Sequence, residues 1–172
     1  MPEELRMSDG APGSLEDRRR FYRDMFHVTP VCKTTGFKMH YDDSGSAVIA
    51  LAYNQGLDHP LGCIFGGILA SMMDFAGFLT VSPHYDNWLA TLEYSTRILE
   101  QVKEVSLRAR GIMRKLGRTA AFADMEVYAV EADRLVATGS GVFHVTQRPL
   151  AYKELSDLTT IAGRMNPART VY

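Results

Sequence analysis

Residues Gly66–Val81 read GGILASMMDFAGFLTV. This is the most apolar stretch of the chain, and it holds one charge, Asp74. The run predicts a helix over 67–81, opened by two glycines and ended by Pro83 within SPHYDN at 82–87. As a helix, Ile68–Val81 would span roughly 21 Å. That is short of the roughly 30 Å hydrocarbon core of a bilayer, so a buried core helix is expected rather than a membrane span. Burying an unpaired carboxylate costs several kcal/mol. An acid in this setting therefore calls for a chemical reason.

The surroundings supply the rest of a fold. Four strand-like runs follow the helix, at 89–99, 104–114, 119–130 and 135–146, with turns at KLGR (115–118) and EADR (131–134). In 119–130, Ala121, Ala123, Met125 and Val127 alternate with polar residues, which predicts one buried and one solvated face. A three-residue loop at KLGR would set Arg110 opposite Asp124 and Arg108 opposite Glu126, as surface pairs. Upstream, strands are expected at 31–41 and 46–53 around a DDSG turn at 42–45, and an irregular loop at 54–65. Ser14 and Asp17 offer a capping box for an amphipathic helix over 15–26. Residues 1–13 are expected to be disordered. The tail 151–172 is expected to hold a short helix near 152–162 and then fray. A sheet with one polar face needs an apolar cover for the other, and the 67–81 helix fits that place. Because that helix is apolar nearly all round, it must be contacted on every side, which predicts an oligomer.

Composition bounds the function. The 172 residues suit one domain, with no internal repeat. A formal net charge of −1 gives no field to recruit nucleic acid or an anionic membrane. The start, MPEELRMSDG, has no basic or apolar region of a secretory signal, so a cytoplasmic location is expected. Cys32 and Cys63 form no CxxC pair, and no His or Cys spacing suggests a metal site.

The segment HPLGCIFGGILASMMDFAG resembles the signature of hotdog-fold acyl-CoA thioesterases of the phenylacetate-pathway and mammalian thioesterase superfamily type. Gly66 and Gly67 match its glycine pair, and Asp74 falls on its acidic position, seven residues beyond the second glycine. Phe65 stands where the pattern has histidine, and His59 where it has asparagine. LATLEYSTRIL, GRTAAFADMEVY and RLVATGSGVFHV are similar to the family's later strands, so the resemblance covers about residues 30–147. It implies an α+β hotdog fold, an antiparallel sheet of about six strands wrapped around a central apolar helix. Residues 14–150 would form that single domain. It also implies homodimers or homotetramers with active sites at the dimer interface, and an acyl-CoA substrate with no other cofactor.

Thioester hydrolysis needs an activated nucleophile, a stabilised carbonyl oxygen and a departing thiol. The amides of Gly66 and Gly67 at a helix start can bind the oxygen. Asp74 lies roughly 12 Å of axial rise further on, so it would meet the glycines of a partner rather than its own. It is expected to act as general base on water or to attack directly. An apolar setting would raise its pKa, which is the chemical reason for burying it. Thr91 falls where the family often has a Ser or Thr that assists the water or leaving group. His59 would orient the substrate or protonate the thiolate. Phe65, Met73 and Phe78 are candidates for the acyl-pocket wall. Arg114, Lys115 and Arg118 are candidates for the coenzyme A phosphates. A dehydratase of this fold would be expected to carry a histidine about five residues beyond the acid, and Leu79 is there instead. The remaining alternative is a non-catalytic acyl-thioester binding or scaffold protein, suggested by Phe65.

Overall fold

A computed structural model describes residues 14–150; the expectations for 1–13 and 151–172 lie outside them. The chain opens with helix α1, Leu15–Val28. Ser14 accepts from the Asp17 amide at 3.1 Å while the Asp17 carboxylate accepts from the Ser14 amide, so the capping box forms as expected.

The strand expected over 31–41 is only half a strand. Pro30–Thr35 forms a second short helix, α2, and strand β1 is confined to Lys38–Tyr41. Pro30 starts α2, where its missing N–H is no loss. Thr34 and Thr35 return their hydroxyls to the carbonyls of Pro30 and Val31. Gly36, at φ 80°, ends the helix in the left-handed region. The β-forming threonines were therefore outweighed by the proline and glycine at the two ends. Strand β2, Ala47–Leu51, pairs back on β1 across the 42–45 turn.

The apolar run forms helix α3, Gly66–Val81. A turn of 3-10 helix containing Pro83 follows it. Strands β3 (Asn87–Ile98), β4 (Leu107–Leu116), β5 (Ala120–Ala129) and β6 (Arg134–Pro149) complete one six-stranded sheet in the order β1-β2-β4-β5-β6-β3. Every pairing is antiparallel. Ala121, Ala123, Met125 and Val127 are all buried, as their alternation predicted.

The β4–β5 register differs from expectation. Arg110 faces Glu126 and Ile112 faces Asp124, because Leu116 pairs with Ala121 across a longer turn than the three-residue loop expected; a bulge between Met113 and Lys115 takes back one of the added positions. Arg110 turns instead to Asp42 at 2.7 Å, and Arg114 pairs with Asp124 at 2.6 Å.

α3 lies against the apolar face of the sheet and meets mainly β4 and β5. The approach is tight at Gly111, where a methyl group would sit 2.2 Å from the Ala76 carbonyl oxygen. Buried Thr80 ties helix to sheet: its hydroxyl donates to Ala76 O at 2.7 Å and accepts from the Ala47 amide at 2.9 Å. α1 covers the flank of α3 that the sheet leaves open. Phe26 meets Phe75 edge-on at 5.0 Å between centroids, and Tyr22 meets Phe78 at 6.2 Å.

Candidate active site

Asp74 sits in the middle of α3, and its side chain opens into a cavity of about 440 Å³ between α3, β3 and the α1–α2 elbow. Thr91, on β3, donates its hydroxyl to Asp74 Oδ1 at 2.9 Å. Burial pushes the Asp74 carboxyl above its ordinary value, and the Thr91 hydrogen bond opposes that rise. The other cavity walls are almost wholly apolar, with Phe75, Phe78, Trp88 and Met25 among them. The carboxylate therefore has one hydrogen-bond donor and little else to neutralise it.

Local backbone explains why Thr91 reaches the acid. Thr91 pairs with Phe143 and Glu93 with Val142, so Leu92 is an extra residue in β3. The bulge turns the strand at Thr91 and leaves Leu92 65% exposed.

The other sequence-derived candidates fall in separate places. Gly66 and Gly67 are the first two residues of α3, and Phe65 precedes them without any side-chain cap. A phenyl ring accepts no conventional hydrogen bond, so the side chain before the helix leaves its opening amides unserved. Phe65 is 58% exposed, folds its ring over Gly67 and lies outside the cavity. His59 lies in the loop packed against this helix start. Its Nδ1 accepts from the Leu61 amide at 3.1 Å, which places the proton of the neutral ring on Nε2. Met73 is fully buried in the core and does not line the cavity, whereas Phe78 does.

Arg114, Lys115 and Arg118 lie at the β4–β5 turn. Tyr85, just beyond the far end of α3, donates to Gly117 O in that turn. These cations are thus at the opposite end of α3 from Gly66, and Arg114 is already paired with Asp124.

Within one chain, then, the structure unites Asp74, Thr91 and Phe78. His59, Phe65, Gly66 and Gly67 gather elsewhere. The sequence reading missed the roof of the cavity, Met25 to Pro30, and its wall residue Trp88. Met25 and Phe26 read as the apolar face of a surface helix, and nothing local marks them as a cavity wall.

A six-stranded antiparallel sheet wrapped around one central apolar helix is the hotdog fold that the sequence predicted. No protein-family model and no curated protein matches the chain. Solved structures do. The PaaI protein of the E. coli phenylacetic acid degradation operon aligns with a TM-score of 0.71 at 19% identity, over 79% of this chain and 99% of its own. A thioesterase family protein from Silicibacter pomeroyi aligns with a TM-score of 0.69 at 22% identity, over 74% and 96%. A conserved protein of Pseudomonas aeruginosa aligns with a TM-score of 0.65 at 26% identity, over 72% and 98%. The chain shares its fold with proteins of the thioesterase superfamily. Among the described residues no helix is long and apolar enough to cross a membrane.

Proposed function

We propose that the protein is an acyl-CoA thioesterase, with Asp74 as its base or nucleophile. One observation carries this reading: a carboxylate with raised pKa, held by Thr91, opens into an apolar cavity large enough for an acyl group. In the base route, Asp74 takes a proton from water, the water oxygen bonds the thioester carbon, and the carbon–sulfur bond breaks. The thiolate then leaves as the thiol with that proton. In the direct route, a carboxylate oxygen bonds the thioester carbon and the carbon–sulfur bond breaks to release the thiolate and leave an anhydride; water then hydrolyses the anhydride to the free acid and the Asp74 carboxylate, and the proton set free goes to the thiolate. Either route builds negative charge on the carbonyl oxygen, which the Gly66 and Gly67 amides would bind. Coenzyme A enters as part of the substrate, and no other cofactor is needed.

The oxyanion donors would come from a second copy of the chain. β3 is an edge strand with exposed Leu92, Tyr94 and Ile98. It carries Thr91 near its middle. At its far end, Ile98 packs against Gly66, where an added methyl would sit 2.7 Å from Ile98 Cδ1. With the bulged Leu92 counted together with Glu93, an antiparallel pairing of two β3 edges about a two-fold axis at Ser95 exchanges positions 91 and 98. Gly66 of one copy would then approach Asp74 of the other, as a homodimer or within a homotetramer. In this arrangement His59 accompanies the partner's glycines toward the thioester. Lys115 and Arg118 are proposed to meet the coenzyme A phosphates.

The test is thiol release from acyl-CoAs of short, long and aryl types by wild type and Asp74→Asn. Turnover that the substitution abolishes supports hydrolysis. The exposed Phe65 at the helix start, in place of a hydrogen-bonding side chain, favours a second reading, a non-catalytic acyl-thioester binding protein. Binding without turnover by the wild type would establish that one. A monomer by light scattering at micromolar concentration would contradict the shared site.

A further inference from the structure

The cavity beside Asp74 has a direction. Asp74 and Thr91 are bonded at one end. One helical turn on, roughly 6 Å along α3, Phe78 meets Trp88 at 5.6 Å between centroids. α1 runs antiparallel above this stretch, with Tyr22 over Phe78 and Phe26 over Phe75. The space thus leads from the carboxylate to an aromatic end wall, and Met25 forms part of its roof.

Its lining is equally one-sided. Among the lining side chains, oxygen is carried only by Asp74, Thr91 and Thr29. The Thr29 hydroxyl already donates to Met25 O at 2.9 Å. The end wall has Phe78, Leu79 and Trp88, whose indole N–H donates but does not accept. No lining side chain is cationic. The volume of about 440 Å³ is nearly three times the roughly 150 Å³ that holds a benzene molecule in an apolar protein cavity.

Building on the hydrolase reading, we infer that the site takes a medium-chain acyl group that is apolar to its far end. This group lies along α3 from Asp74 to the Phe78–Trp88 wall, and Met25 sets its girth. A terminal hydroxyl would lose its hydration at the wall and meet no acceptor on the side chains of Phe78, Leu79 or Trp88, and a terminal carboxylate would find no cation. Acetyl groups would leave most of the cavity unfilled.

Trp88 is the sole tryptophan of the chain, so its emission reports on the cavity without labels. The experiment has two arms. One measures kcat/KM for acetyl-, octanoyl-, 8-hydroxyoctanoyl- and 2-propylpentanoyl-CoA. The other titrates the same thioesters into Asp74→Asn protein and follows Trp88 fluorescence, which reads binding without turnover. Octanoyl-CoA is expected to exceed acetyl-CoA by at least tenfold in both arms, and the terminal hydroxyl to cost about 10- to 100-fold. Met25→Ala should raise the branched acyl group relative to octanoyl by several-fold, while Met25→Leu keeps the wild-type order. Both variants must retain the wild-type melting profile. Equal binding of octanoyl and 8-hydroxyoctanoyl thioesters, or an order of preference unmoved by Met25→Ala, overturns the inference. Ordered binding without wild-type turnover would uphold it and overturn the hydrolase reading instead.

Discussion

Asp74 is costly to bury, and its chemistry follows from that cost. Its carboxyl titrates above the ordinary value near 3.9 because burial disfavours the charged form. A base must be ionised to act, so activity should rise with pH through that elevated pKa. Thr91 donates to the ionised carboxylate and therefore pulls the pKa down. Thr91→Val removes the donor at constant shape. The acidic limb of a kcat/KM–pH profile should then move to higher pH, and an unmoved limb would show that Thr91 does not tune the acid. The sign for stability runs the other way. The folded state holds this proton more tightly than the unfolded state, so folding is penalised above the folded pKa. Asp74→Asn should raise the melting temperature at pH 7, with the gain shrinking as pH falls and wild-type Asp74 becomes neutral.

α3 can serve as scaffold and site together because it touches the sheet so closely. Gly111 lets the Ala76 carbonyl rest on β4, and the obstacles to any side chain there are that backbone oxygen and the Thr80 hydroxyl, which is itself fixed by its two hydrogen bonds. Gly111→Ala should destabilise the fold by about 1–3 kcal/mol, read by urea unfolding; an unchanged midpoint would mean that the helix is free to shift. Much of this level was legible in advance. The apolar run, the capping box at Ser14 and the alternation along β5 are local patterns with local causes. What was missed depended on partners distant in sequence. The bulge at Leu92 is set by pairing with β6, and the β4–β5 register by a turn longer than KLGR suggested, partly offset by a second bulge after Met113. The short helix at 30–35 was hidden because its threonines favour strands, whereas Pro30 and Gly36 fixed its ends.

Across the molecule, one chain separates the acid from the glycine amides by roughly the 12 Å that the sequence implied. A two-fold pairing of β3 edges would bring them together, and it makes a prediction that no single-chain site makes. Gly66→Pro removes one oxyanion donor at the first helical position, where the backbone accepts proline after a Phe65 already extended at ψ 129° and the Ile98 side-chain tip must shift to admit the ring. It should cost about 10²–10³ in rate. Mixing Gly66→Pro protein with Asp74→Asn protein under exchange conditions should then restore activity, because each mixed dimer holds one intact pair. Mixing that restores nothing, despite verified subunit exchange, would place the two groups in separate sites. The resemblance read from the sequence named the glycines and the acid. The cavity roof formed by Met25–Pro30 emerged only with the fold, since it depends on α1 crossing α3.

The most direct measurement is the rate of thiol release from octanoyl-CoA at pH 7 by wild type and by Asp74→Asn protein whose Trp88 fluorescence still reports binding. With the carboxylate as base or nucleophile, the variant should bind and yet turn over about 10²- to 10⁴-fold more slowly. Release at the wild-type rate by a variant that binds normally would contradict any chemical role for Asp74.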